Sequence, residues 1–136
     1  MDITIETTIN APIDVVWVAW TTPDAIMQWN TASEDWHTTT SRVDLREGGE
    51  FSSRMEAKDG SMGFDFAGVY TCVEKPTLLE AEFGGRKLRV EFSQNGQNTH
   101  IRETFEAEES NSVDMQRAGW QAILDNFKRF VEASEH

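Results

Sequence analysis

Residues 78–106, LLEAEFGGRKLRVEFSQNGQNTHIRETFE, decide the architecture. Leu79, Ala81 and Phe83 alternate with acidic residues up to Gly84-Gly85. Leu88, Val90 and Phe92 then alternate with Arg89 and Glu91 up to Asn95-Gly96, and Ile101, Glu103 and Phe105 follow. A period of two is that of a strand with one face buried. Gly-Gly and Asn-Gly between such runs mark tight hairpins, whose central residues need positive φ. Three successive strands are therefore antiparallel neighbours.

The same pattern extends from Trp36 to Ala107. It is broken at Glu47-Gly48-Gly49-Glu50, Lys58-Asp59-Gly60-Ser61 and Lys75-Pro76-Thr77 as well as at the two turns above. Six strands result, and connections this short build a meander rather than βαβ units. One face carries Val43, Leu45, Phe51, Ser53 and Met55, then Phe64, Phe66 and Tyr70, and continues into the apolar positions of residues 79–105. The other carries Arg42, Asp44, Arg54, Glu56, Arg89, Glu91 and Arg102. One side is dry and the other wet.

Helices flank this block. Residues 2–9 alternate as a further strand through Ile3, Ile5 and Ile9. In the next segment Pro12 suits a first helical position and Asp14 favours a helix N-terminus. Ile13, Val16, Trp17 and Trp20 then share one helical face. A second short helix opens at Pro23, with Thr22 as its cap and Ile26 and Trp29 on one side. After an acidic linker, Glu106 to Ser112, a long helix spans about Val113 to Ala133, with Ser112 as cap. Its stripe is Trp120, Ile123, Leu124, Phe127, Phe130 and Val131. The expected class is α+β in the order β-α-α-β6-α, one domain over residues 1–136.

Composition narrows the function classes. The net charge is −12, from 24 acidic and 12 basic residues, and no Lys/Arg cluster offers the basic face that phosphate backbones require. Nucleic acid and anionic membrane surfaces are disfavoured as partners. No run approaches the ~20 apolar residues of a membrane span. Cys72 is the sole cysteine, which excludes an intrachain disulfide and suits a reducing compartment, so a cytoplasmic location is expected. Five Trp and eight Phe make the expected core aromatic.

Geometry then argues for a cavity. Seven strands about 4.8 Å apart make a sheet on the order of 30 Å wide, whereas a helix is only about 10 Å across. One long helix covers a diagonal band of the dry face, so the sheet should curl around it with the two short helices as a lid. Such a wrap leaves an interior space suited to an apolar occupant, unless the aromatic rings fill it.

Residues 11–29, APIDVVWVAWTTPDAIMQW, and 119–132, GWQAILDNFKRFVE, together resemble the SRPBCC (START-like, helix-grip) superfamily. Within it the likeness is to bacterial relatives of the C-terminal domain of the heat-shock chaperone ATPase activator. Residues 29–70 resemble one bacterial subgroup of these. The resemblance spans nearly the whole chain. It implies a deep cavity between helix and sheet, with the Pro12–Trp20 and Trp29 elements near its mouth and Trp120 on the gripping helix. Members of the superfamily bind lipids, sterols, hormones or polyketides; some are cyclases or hydrolases, and one branch stimulates a chaperone. They share no catalytic set, so none transfers to this chain.

Several residues invite chemistry. By unbroken alternation His37, in Asp35-Trp36-His37, shares the inward face with Val43 and Leu45, where an imidazole can move protons or, with Glu34 and Asp35, hold a metal. The plainer alternative is a half-exposed histidine at a strand start. Glu103, between Ile101 and Phe105, is either an inward ligand anchor or general base, or a bulge position facing water, the commoner outcome. Asp65 should face outward beside Arg54 or Arg89. Tyr70 can orient a polar group of a ligand or be a core ring. Cys72 falls in phase with Phe66 and Tyr70 as a small buried hydrophobe. Gly119, mid-helix, reads as close helix–strand packing.

The reading that follows is a receptacle for a small apolar molecule rather than a reaction centre. Its candidate lining is Trp29, Trp36, His37, Phe51, Met55, Phe64, Phe66, Tyr70, Phe83, Phe92, Glu103, Trp120 and Leu124. No catalytic residue, metal ligand or cofactor is assigned. An enzyme using the same pocket and a chaperone-regulating module are the alternatives, and a monomer or weak dimer is expected.

Overall fold

The computed structural model describes residues 1–134. Strand β1 (Asp2–Ile9) leads into helices α1 (Ile13–Thr21) and α2 (Pro23–Trp29). Strands β2 (Trp36–Val43), β3 (Glu50–Ala57), β4 (Gly63–Glu74), β5 (Leu78–Phe83), β6 (Arg86–Asn95) and β7 (Asn98–Glu106) follow, and helix α3 (Val113–Ala133) closes the chain. The strands form one antiparallel sheet in the order β1-β7-β6-β5-β4-β3-β2. This is the expected helix-grip order of a curved seven-stranded sheet on a long C-terminal helix.

The hairpin reading of residues 78–106 holds at the glycine pair and shifts by one residue at the second turn. There Asn95 pairs with Asn98 across Gly96-Gln97, and Gly96, with φ of 65°, is the left-handed residue. Gly84 and Gly85 have φ of 55° and 78°, and Phe83 pairs with Arg86 across them. Both central residues of this two-residue turn are left-handed, so side-chain-bearing residues would be strained there. Ser112 caps α3 by accepting from the Met115 N–H at 3.1 Å. Gln116 ties down the preceding linker, its Nε2 donating to the carbonyls of Glu108 and Asn111. Thr22 precedes α2 but makes no side-chain cap bond, and Pro12 precedes α1 as its cap rather than as its first residue.

Strand β1 is a sheet edge, and an open edge invites pairing with other chains. Helix α3 covers it with long side chains. Arg117 Nη1, Gln121 Nε2 and Lys128 Nζ donate to the carbonyls of Thr4, Glu6 and Thr8 at 2.8, 3.4 and 2.5 Å. The outer face is wet as expected. Arg54 pairs with Glu56 and Asp65, and Arg89 with Glu80 and Glu91. Pairs this exposed add little stability.

Two β-bulges change which side chains face inward. In β2 the register slips between Thr38 and Thr40, so Thr38 is buried whereas His37 lies outside, opposite Glu56. In β4 it slips between Tyr70 and Cys72, which pairs Cys72 with Glu80 on the outer face. A single inserted residue reverses the phase of everything before or after it. The inward placements of His37 and Cys72 are thereby corrected. Leu45 lies beyond the end of β2 and is exposed. Gly119 also departs from its reading: a Cβ there would meet nothing within 4 Å, so the position faces open space rather than a strand.

Candidate functional site

The interior contains two aromatic groups with a cavity between the sheet and the helices. In the first group Trp20 lies 5.1 Å from Trp29, 5.7 Å from Phe92 and 4.9 Å from Phe127. Trp29 donates its Nε1–H to the Ala19 carbonyl at 2.9 Å, which locks α2 onto α1. In the second, Trp120 stacks on Phe105 at 3.8 Å and meets Phe66 edge-on at 6.0 Å. Phe51 leans on Tyr70 at 4.9 Å and on Phe66 at 5.8 Å. It can do so because it lies opposite Gly68, where a Cβ would come within 2.7 Å of the Phe51 ring. The backbone carbonyl of Glu82 would crowd that Cβ still more closely, so the wall at this point requires glycine.

The cavity has a volume of about 200 Å³. Of the thirteen candidates, Trp29, Phe51, Met55, Phe64, Phe66, Tyr70, Glu103 and Trp120 line it. Trp29 is 5% exposed and belongs to the interior rather than to a mouth. Phe64, at 50% exposure, stands at the solvent side with Trp36 tilted against it at 5.8 Å. Trp36 itself, His37, Phe83, Phe92 and Leu124 are not part of the lining. Phe83, Phe92 and Leu124 are core residues spent on packing, and His37 points away because of the β2 bulge.

Trp20, Ile26 and Asn30 from the short helices, Ser41, Arg42 and Val43 from β2, and Ile123 from α3 complete much of the wall. None of these was among the candidates. Trp20 and Ile123 were legible as apolar helix positions, whereas Arg42 had been read as a wet-face residue. It is exposed and borders the cavity from its open side.

Glu103 is the chemical centre of this space. It is 6% exposed, lies opposite Ile5 on β1 and Val90 on β6, and faces the cavity. The solvent-facing alternative is overturned because β7 runs without a bulge from Asn98 to Glu106. Its carboxyl has no hydrogen bond or ion pair with any described residue. Burial away from water, with no cation to offset it, pushes its pKa up to about 8. The Tyr70 phenol likewise lacks a protein partner, and burial raises its pKa to about 12, so it stays neutral. Buried polar groups elsewhere in this protein are paired: Thr99 Oγ1 with the Ala11 carbonyl at 2.8 Å, and Thr38 Oγ1 with that of Asn30 at 2.6 Å. The side-chain oxygens of Glu103 and Tyr70 make no such bond but border the cavity, and among the described residues no side-chain N or O atom closed to solvent lacks a partner.

No cluster of three or more His, Cys, Asp or Glu able to hold a metal occurs among the described residues. No helix among them is long and apolar enough to cross a membrane.

Known structures place this arrangement. The solution structure of an AHSA1-like protein from Aeromonas hydrophila is 51% identical, covers 100% of this chain and 99% of its own, and superposes with a TM-score of 0.92. The solution structure of the Cytophaga hutchinsonii protein Chr148 is 45% identical over 99% of this chain and 97% of its own, with a TM-score of 0.84. A Nitrosomonas europaea protein of the same fold has a TM-score of 0.86 at 19% identity, covering 99% of this chain and 96% of its own. Among curated proteins none matches. The family model described as activator of Hsp90 ATPase homolog 1-like protein matches residues 10–132, and the chain belongs to that family.

Proposed function

We propose that this protein binds one compact, mainly apolar molecule in the cavity between α3 and the sheet, with Glu103 as its polar anchor. The observation that carries this is an uncompensated carboxyl in an aromatic-lined space of about 200 Å³. A carboxylate enclosed by apolar rings without a side-chain partner costs stability when ionised, and a polar group on a bound molecule would offset that cost. The volume limits the occupant. A dry cavity of about 150 Å³ accommodates benzene, and pockets for drug-sized ligands start near 300 Å³. One- or two-ring molecules fit within it, whereas a sterol or long-chain lipid would have to extend past its open side.

A library of one- and two-ring compounds, screened by thermal unfolding, tests this reading. A ligand present at about 100 times its Kd stabilises the folded state by about 2.7 kcal/mol. Native mass spectrometry of the protein purified from its own host should retain the same class of molecule. If no compound raises the unfolding temperature and the purified protein carries nothing, the reading fails. A chaperone partner would instead be registered by pull-down or by stimulated ATPase activity, and turnover of a bound compound would make the site catalytic.

A further inference from the structure

We infer that the molecule held in this cavity carries a basic nitrogen, and that Glu103 pairs with it as a carboxylate against an ammonium group. The inference rests on the proposed ligand site and specifies its chemistry. Three observations converge on it.

The first is charge. Of the groups lining the cavity, drawn from α1, α2, β2 to β7 and α3, only Arg42 and Tyr70 are titratable or charged besides Glu103. Strand β1 sets Ile5 beside it, and among the described residues Arg42 is the only cation that borders the cavity. Arg42 is exposed at the open side, where water screens it. An anionic ligand would find its one cation, Arg42, only at the open side, and would repel Glu103 whenever that carboxyl ionises.

The second is the wall. Trp20, Trp29, Phe66 and Trp120 present ring carbons around the same space, and aromatic faces attract cations most strongly when water is excluded. The third is the whole molecule. A net charge of −12 raises the local concentration of cations and repels anions.

A basic nitrogen reaches the paired state by either of two routes. An ammonium ion meets the ionised carboxylate directly. Alternatively, the free amine meets the protonated acid, and the proton passes from the carboxyl oxygen to the nitrogen. Both give the same hydrogen-bonded ion pair; on the first route the proton that Glu103 held goes to solvent, and on the second it goes to the nitrogen. Because Glu103 is largely protonated at neutral pH, binding of an ammonium ion there expels a proton to solvent.

The test uses 2-phenylethylamine, 2-phenylethanol, phenylacetone and phenylacetate, which share a ring and differ in the polar group. Calorimetric titration at pH 7 is run in two buffers of different ionisation enthalpy, with the native protein and Glu103→Gln. A charge-assisted hydrogen bond and the cation-attracting rings together exceed a neutral hydrogen bond by about a hundredfold. Ionising Glu103 at pH 7 takes back about tenfold, which leaves the amine favoured by about tenfold over the alcohol. Amine binding should release close to one proton and alcohol binding none. In the Glu103→Gln variant, whose folding is checked by urea unfolding, both the preference and the proton release should vanish. Equal or tighter binding of the alcohol, ketone or carboxylate would overturn the basic-nitrogen inference while leaving the cavity a ligand site. Failure of all four probes to bind either protein would overturn both.

Discussion

The two halves of the interior are built from the same residue types and end in opposite states. Around Trp17, Phe92 and Phe127, where α1 and the C-terminal half of α3 meet the sheet, the space is closed. Trp17, Phe127, Ile9 and Val131 are at most 1% exposed, and the buried hydroxyl of Thr99 is bonded to Ala11. Around Phe51, Phe66 and Tyr70, on the β3–β4 side, rings of similar size leave a void, and Tyr70 and Glu103 face it unpaired. The difference lies in coverage. Helix α3 lies along β1, tied to its edge by Arg117, Gln121 and Lys128, so the β3–β4 side receives only Trp120 and Ile123 from it. One half is built for stability, and the other gives up some of it.

The comparison can be broken by substitution. The largest effect should come from Phe127→Ala, which removes a fully buried ring from the closed half and should cost about 3–5 kcal/mol in urea unfolding. Phe66→Ala, at the wall of the void, should cost about 1–2 kcal/mol, because that ring already lacks neighbours on one side. Equal losses would mean that the halves do not differ in packing.

Between those two in size is the pH response of Glu103→Gln. Glu103 ordinarily titrates near 4.5 and in the fold near 8, so the folded state holds its proton more tightly than the unfolded state. Stability from this group is therefore intact below pH 4.5 and declines as pH rises towards 8. The variant should gain on the native protein by about 3 kcal/mol between pH 4.5 and 7, then level off above 8. Tyr70 stays neutral in this range, so it does not contribute. A pH-independent difference would place water or a partner at the carboxyl. The smallest effect is Gly119→Ala on the open side of α3. It should raise stability by up to about 1 kcal/mol, measured as a higher unfolding temperature, with no change in ligand affinity.

Much of this molecule was legible in its residues because the relevant forces act locally. Alternation in residues 79–105, left-handed glycines at 84 and 85, and the Ser112 cap each depend on neighbours a few positions away. The candidate lining was legible in part: eight of thirteen residues reach the cavity, since period-two faces in β3, β4 and β7 survive folding. His37 was misplaced because a bulge at Thr38/Thr40 has no residue signature here, and it reverses the phase of the strand before it. Phe83, Phe92 and Leu124 share the inward face with the cavity residues and differ only in how closely other elements approach.

By itself the sequence determined the succession of strands and helices, the meander, the gripping helix, the aromatic interior and the acidic surface. Only the tertiary structure decided that the side chains leave a cavity under Trp120 and that no described side chain pairs with the Glu103 carboxyl. The cavity is a small difference between the volume enclosed by eight or more elements and the volume of the rings that enter it. The partnering of a carboxyl depends on Ile5, Val90, Tyr70 and Arg42, residues brought together from across the chain. No short-range pattern encodes either quantity, because each is settled only when all the elements have packed.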